Sequence, residues 1–139
     1  MKRKLFLSKD LNLSPEKIAL MSHFCLFCCE YLPINGDFLI YVVNNRDDHG
    51  IGTTAYYSVG KNEIKIYGKN RALVDILRSI AHELTHMMQD EQGLITGPVQ
   101  DAGGFHEDQA NAKAGELIKL YAKQPGKKAI YESIAKQLS

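Results

Sequence analysis

Apolar and polar positions follow two different periods along this chain, and each change of period marks an element. Ser14-Pro15-Glu16 has the form of a helix start: a hydroxyl N-cap, a proline in the first turn and an acid at the positive end of the helix dipole. The helix is expected to run to about Tyr31 and to stop before Pro33. Ile18, Leu20, Met21, Phe24, Cys25, Leu26, Phe27 and Cys28 make it apolar around much of its circumference, which places it largely in the core. Phe38 to Val43 is a short β-rich run, read as a buried strand. Asn44 to Gly52 is polar and turn-forming, hence a solvated loop; it lacks the closing acid that a calcium loop needs. Thr53 to Val59 and Glu63 to Tyr67 flank Gly60-Lys61-Asn62, with Ile64 and Ile66 on one face, and together read as a β-hairpin.

Three helical patterns follow. The first spans roughly Arg71 to Gln92 and stops at Gly93, a natural C-cap. Leu94 to Gly104 holds three glycines and Pro98 and reads as a loop. The second helix spans roughly His106 to Lys123 and ends before Pro125. The third follows Gly126, with Ile130, Ile134 and Leu138 on one stripe. Met1 to Leu7 imitates a signal peptide, but its apolar part stops at Ser8-Lys9-Asp10, too short for export.

A chain of 139 residues is expected to form one domain, 1–139, with an ordinary apolar fraction of 45% and charged fraction of 24%. The expected fold is α+β: a small antiparallel or mixed sheet of about three strands, packed on the helix from Arg71. A net charge of +1 gives no reason to invoke nucleic acid or an acidic membrane. No apolar run approaches the roughly 18 residues of a membrane span. Cys25, Cys28 and Cys29 are an odd, clustered set and a poor disulfide framework. They suggest a reducing, cytoplasmic setting. Their one Cys-x-x-Cys lacks the second pair of a structural zinc site, so they read as buried core thiols.

The chemistry lies in His82-Glu83-Leu84-Thr85-His86. Histidines four apart on a helix share a face, so both imidazoles can reach one ion. Glu83 is offset by about 100° and lies beside that ion, where it can serve as general base toward a water the metal activates. The surroundings agree. Leu73, Leu77, Ile80, Leu84 and Met87 recur at helical spacing and bury one side, leaving His82 and His86 opposite, with Asp75, Ser79 and Gln89 roughly in line. Zinc is the expected ion by ligand type, although Co²⁺ or Mn²⁺ could occupy the same ligands.

A catalytic zinc site needs a third protein ligand and an open position. The metzincin continuation fails, because Gln89 and Gln92 stand where Gly and His would. A carboxylate on the next helix is the remaining kind. Glu107 sits in that helix's first turn, with Asn111 one turn on; His106, Asp101 and Asp108 are the weaker alternatives. Ala110, Ala112, Ala114 and Gly115 are small enough to allow close approach of the two helices.

With these motifs the chain resembles a gluzincin, a His-Glu-x-x-His helix followed by a glutamate-bearing helix. Glu107 to Ala114 is similar to the Glu-x-x-Ala-Asp/Asn pattern of HtpX-like and CAAX-prenyl-protease-like peptidases, and to the Glu-x-x-Ala-Asn stretch of ImmA/IrrE-type peptidases. The resemblance covers about 40 residues, Arg71 to Ala114. It lacks the membrane helices of the prenyl-protease-like group and has Lys113-Ala114 where the ImmA/IrrE group has Phe-Ala, so it describes a minimal gluzincin. It implies one Zn²⁺ on His82, His86 and Glu107, Glu83 as catalytic base, and Asn111 steadying a ligand histidine. It also implies an edge strand that pairs with extended substrate, a role open to one strand of the hairpin. His49, Tyr56, Tyr57 and Tyr121 are candidates to donate to an oxyanion, and His23 reads as a surface or core residue. The expected activity is zinc-dependent hydrolysis of a peptide bond in a peptide or protein substrate. The alternative is a gluzincin-like binding or regulatory protein with zinc kept for structure.

Overall fold

The first residues of the chain form a strand, β1 (Arg3–Leu7), that lies parallel to β2 (Phe38–Val43). A computed structural model describes residues 2–45, 54–95, 104–127 and 130. Between the two strands runs α1 (Pro15–Tyr31), so the chain opens with a βαβ crossover. Ser14 caps α1 through its side chain, which accepts from the Lys17 amide at 3.2 Å. β3 (Ala55–Ser58) and β4 (Glu63–Tyr67) pair antiparallel, and β4 then lies parallel to β2. The strand order is β1-β2-β4-β3, with β3 at one edge. Two helices complete the described fold, α2 (Leu73–Glu91) and α3 (Phe105–Ala122). Among the described residues the protein is therefore α+β, with three helices and a four-stranded mixed sheet. No helix among them is long and apolar enough to cross a membrane.

The sheet has one strand more than expected, and β1 is the addition. Its residues alternate between half-buried Arg3, Leu5 and Leu7 and exposed Lys4 and Phe6. A short edge strand with charges beside its apolar positions carries a weak signal, and here it resembled a truncated leader. Arg3 also has a packing role: its guanidinium donates to the carbonyls of Ile34 and Gly36 and lies over the Phe38 ring.

One face of the sheet carries the core. Ile40, Val42, Ile64 and Ile66 are fully buried there, facing Leu73, Ile76, Leu77, Ile80 and Leu84 of α2. The opposite face holds Phe6, Tyr41, Lys65 and Tyr56 in register across the four strands. α1 contributes Met21, Phe24, Cys25, Phe27 and Cys28 to the core, while Leu26 and Tyr31 stay exposed. It is thus one-sided, more exposed than its composition suggested. Burial raises all three thiols, Cys25 to about 12, which fits inert core residues.

The end of α2 is tightly specified. Gly93 takes φ 72°, its amide donates to the Asp90 carbonyl, and the Leu94 amide reaches back to the Gln89 carbonyl. This is a Schellman closure at the expected glycine. Two acids, Asp90 and Glu91, sit at the negative end of the dipole, which is unfavourable unless they gain donors. They do: Glu91 accepts from the Asn35 and Gly36 amides, and Asp90 from the Tyr57 hydroxyl and the Gly60 amide. These bonds fasten the turn at Asn35–Gly36 and the β3–β4 turn at Gly60 to the last turn of α2. At the other end Gly68 is required, since a Cβ there would lie 2.6 Å from Val42 Cγ1.

The hairpin, β2 and the two later helices lie where the sequence places them, within a residue or two at most ends. The expected helix after Gly126 lies largely outside the described residues; Ile130, which is described, is buried in the core. Leu77 touches no solvent and stands between sheet and α2. Leu77→Ala should cost about 2–5 kcal/mol of stability in urea unfolding, and a loss below about 1 kcal/mol would contradict this packing.

Candidate metal centre

α2 and α3 pack side by side, and the site lies between them. The approach is made by Ala110 and Ala114, both buried on α3. Ala112, expected to share that role, is exposed on the other side of the helix. α3 buries Ala110, Ala114, Leu117, Ile118 and Tyr121, a helical stripe that leaves Glu107 at its N-terminal end.

That stripe brings Glu107 to the two histidines. Its Oε1 lies 3.0 Å from His82 Nε2 and its Oε2 lies 3.0 Å from His86 Nε2. The two Nε2 atoms are 3.2 Å apart. Among the described residues these three are the group whose ligand atoms converge, all within 4.8 Å. His86 is at the floor, with 2% of its side chain exposed, while His82 and Glu107 form the rim at 18% and 24%. The cluster is therefore open on one side. Two imidazoles and a carboxylate are a donor set that suits a divalent ion such as zinc.

Glu83 is buried on the same helix. Burial, and then the charge of nearby Glu107, push its carboxyl up to about 8. His82 is shifted the other way, lowered mainly by burial and further by His86, against the pull of Glu107 and a hydrogen bond to Asn111. A neutral His82 is the form that can ligate. Asn111 itself is exposed and reaches His82, one of the two ligand histidines.

Gln89 is the residue whose part sequence reasoning missed. It is fully buried, its Oε1 lies 2.8 Å from His86 Nδ1, and its Nε2 donates to the His106 carbonyl at 3.0 Å and to Gln109 Oε1 at 2.8 Å. The available signal was its place three residues after His86, on the same helix face.

The other candidates fall away from the cluster. His106 is not among the converging ligands; its backbone carbonyl is used by Gln89, and its buried Nδ1 has no hydrogen-bond partner among the described residues. Asp108 is exposed and outside the group. Tyr57 donates its hydroxyl to Asp90, and Tyr121 is buried in the core with its hydroxyl against His23 Nδ1 at 2.9 Å. Tyr56 stands on the outer sheet face beside Lys65. His49 and Asp101 lie outside the described residues.

The chain matches no known protein family, and no curated protein or solved structure is measurably similar to it.

The raised Glu83 carboxyl has a consequence for stability. A group whose folded pKa exceeds its unfolded value binds extra protons when folded, so its contribution is full at low pH and is lost as pH rises. The window here runs from about 4.5 to about 8. In metal-free protein, Glu83→Gln should melt at nearly the wild-type temperature at acidic pH and progressively above it as pH passes through that window. A melting difference that stays flat with pH would contradict the burial of Glu83.

Proposed function

We propose that this protein is a zinc-dependent peptidase with a zincin-like fold, a minimal gluzincin. The observation that carries the proposal is the convergence of His82 Nε2, His86 Nε2 and both Glu107 oxygens, with a buried carboxylate, Glu83, next to the first histidine. His82, His86 and Glu107 would hold the ion, and the open side of the cluster leaves room for water and substrate. A bound zinc ion would polarise the scissile carbonyl and make water acidic enough to react near neutral pH.

The protein's own residues do the rest. Ionisation of Glu83 is favoured beside a bound cation, which offsets the penalty that burial imposes on it. Glu83 takes one proton from the attacking water as its oxygen bonds to the carbonyl carbon. It passes that proton to the amine nitrogen as the carbon–nitrogen bond breaks, leaving a carboxylic acid, which keeps the water's second proton until it ionises to solvent, and a free amine. Asn111 holds His82 in place from α3. β3, at the edge of the sheet beside α2, is where an extended substrate would add as a further strand, a recognition mode that needs little sequence preference.

Three proteins test the proposal: wild type, Glu83→Gln and Glu107→Ala. Zinc content and cleavage of a broad mixture of denatured proteins are measured for each. The expected outcome is one zinc per chain in wild type and Glu83→Gln, cleavage reduced at least about 100-fold in Glu83→Gln, and loss of tightly held zinc in Glu107→Ala. Unchanged cleavage by Glu83→Gln would refute the role of Glu83. Zinc retained without cleavage in any of them would favour a binding or regulatory protein instead.

A further inference from the structure

We propose that Gln89 is a positioning residue for this site: its amide locks the proton of His86 on Nδ1 and so turns the Nε2 lone pair toward Glu107 and His82. The inference rests on the metal-centre reading, and it adds the device that keeps the centre poised before an ion arrives.

The lock arises from which groups can change roles. An imidazole can carry its proton on either nitrogen, and a glutamine amide can rotate to exchange its oxygen and nitrogen. A backbone carbonyl can only accept. Gln89 Nε2 faces the His106 carbonyl at 3.0 Å, so the NH₂ end of the amide must point there. Its oxygen is then the end that meets His86 Nδ1 at 2.8 Å. An oxygen at that distance requires a proton on Nδ1. In a neutral ring Nε2 is consequently bare. Gln109 Oε1 accepts the second amide proton at 2.8 Å, and its own amide can adapt, so it follows the arrangement.

The opposite tautomer would cost two interactions. Nδ1 would need a donor from Gln89, which would turn the amide oxygen onto the His106 carbonyl. Gln89 is fully buried, so no solvent relieves either mismatch. The bare Nε2 of His86 then faces Glu107 Oε2 at 3.0 Å, acceptor against acceptor, a contact that a cation makes favourable. The same amide also spans the two helices. Its bond to the His106 carbonyl holds the residue immediately before Glu107, so the tautomer of one ligand and the placement of another depend on a single side chain.

The test reads protonation directly. Long-range ¹H–¹⁵N spectra of the metal-free protein, taken where the ring is neutral, should show His86 protonated on Nδ1 and bare on Nε2. Gln89→Met preserves length and volume but offers no comparable acceptor. It should populate the Nε2–H form and weaken zinc binding about 10–100-fold in chelator competition. Gln89→Glu keeps an acceptor for Nδ1–H and should retain the wild-type tautomer, although it loses the donor to His106. A role in packing alone predicts the reverse order, with Met the milder change. Wild-type His86 protonated on Nε2, or a folded Gln89→Met that binds zinc as tightly as wild type, would overturn the proposal. The wild-type spectrum decides the tautomer even if neither variant folds. A wild type with His86 protonated on Nδ1 that takes up no zinc would uphold the lock and sink the metal centre instead.

Discussion

The packing of α3 against α2 is the constraint on which the site depends. His82 and His86 come from one helix and Glu107 from the other, so the centre exists only where the two lie close. Ala110 and Ala114 permit that approach, and Gln89 fixes it by bonding across the gap at the level of His106. The rest of the fold holds α2 in position. Its apolar side is buried on the sheet, and its last turn is tied by Asp90 and Glu91 to the turns around Gly60 and Gly36. Because acids at a helix C-terminus oppose the dipole, those ties also satisfy groups that would otherwise destabilise the helix.

Three carboxyl and imidazole groups packed this closely would be a poor design for stability alone. Glu107 faces two nitrogens, and Glu83 is held in a buried position where its charge is disfavoured. Shifted titration of this kind, with Glu83 raised and His82 lowered by burial, is common at sites that do chemistry. A divalent ion bound as proposed would give the lone pairs a common partner and favour the ionised form of Glu83.

Local patterns made much of this legible in advance. The β2 run has the right length and composition to be a buried strand, and it occupies the residues its pattern marked. Ser14 and Gly93 are punctuation whose geometry is set by one residue, and both act as their type requires. His82 and His86 were visible because helical spacing alone brings them together. Glu107 took a further step, since its approach depends on how two helices dock. Contacts that cross the chain at long range left no local trace. Nothing near Tyr57 announces that Asp90 will take its hydroxyl, which removes it as a candidate for the site. Gln89 was noticed only as a residue on the histidine face; its role needs the His106 carbonyl, which the fold supplies from another helix. β1 was missed because an edge strand needs little hydrophobicity and begins here among lysines and arginine.

In the proposed site, three side chains from two helices would hold one ion, with Gln89 behind them. An anomalous-scattering map at the zinc edge, from crystals of zinc-replete protein, tests it most directly. The expected result is one peak about 2.0–2.2 Å from His82 Nε2, His86 Nε2 and a Glu107 oxygen, with His86 Nδ1 still against Gln89. A peak ligated instead by His106 or Asp101, or no peak between α2 and α3, would contradict it.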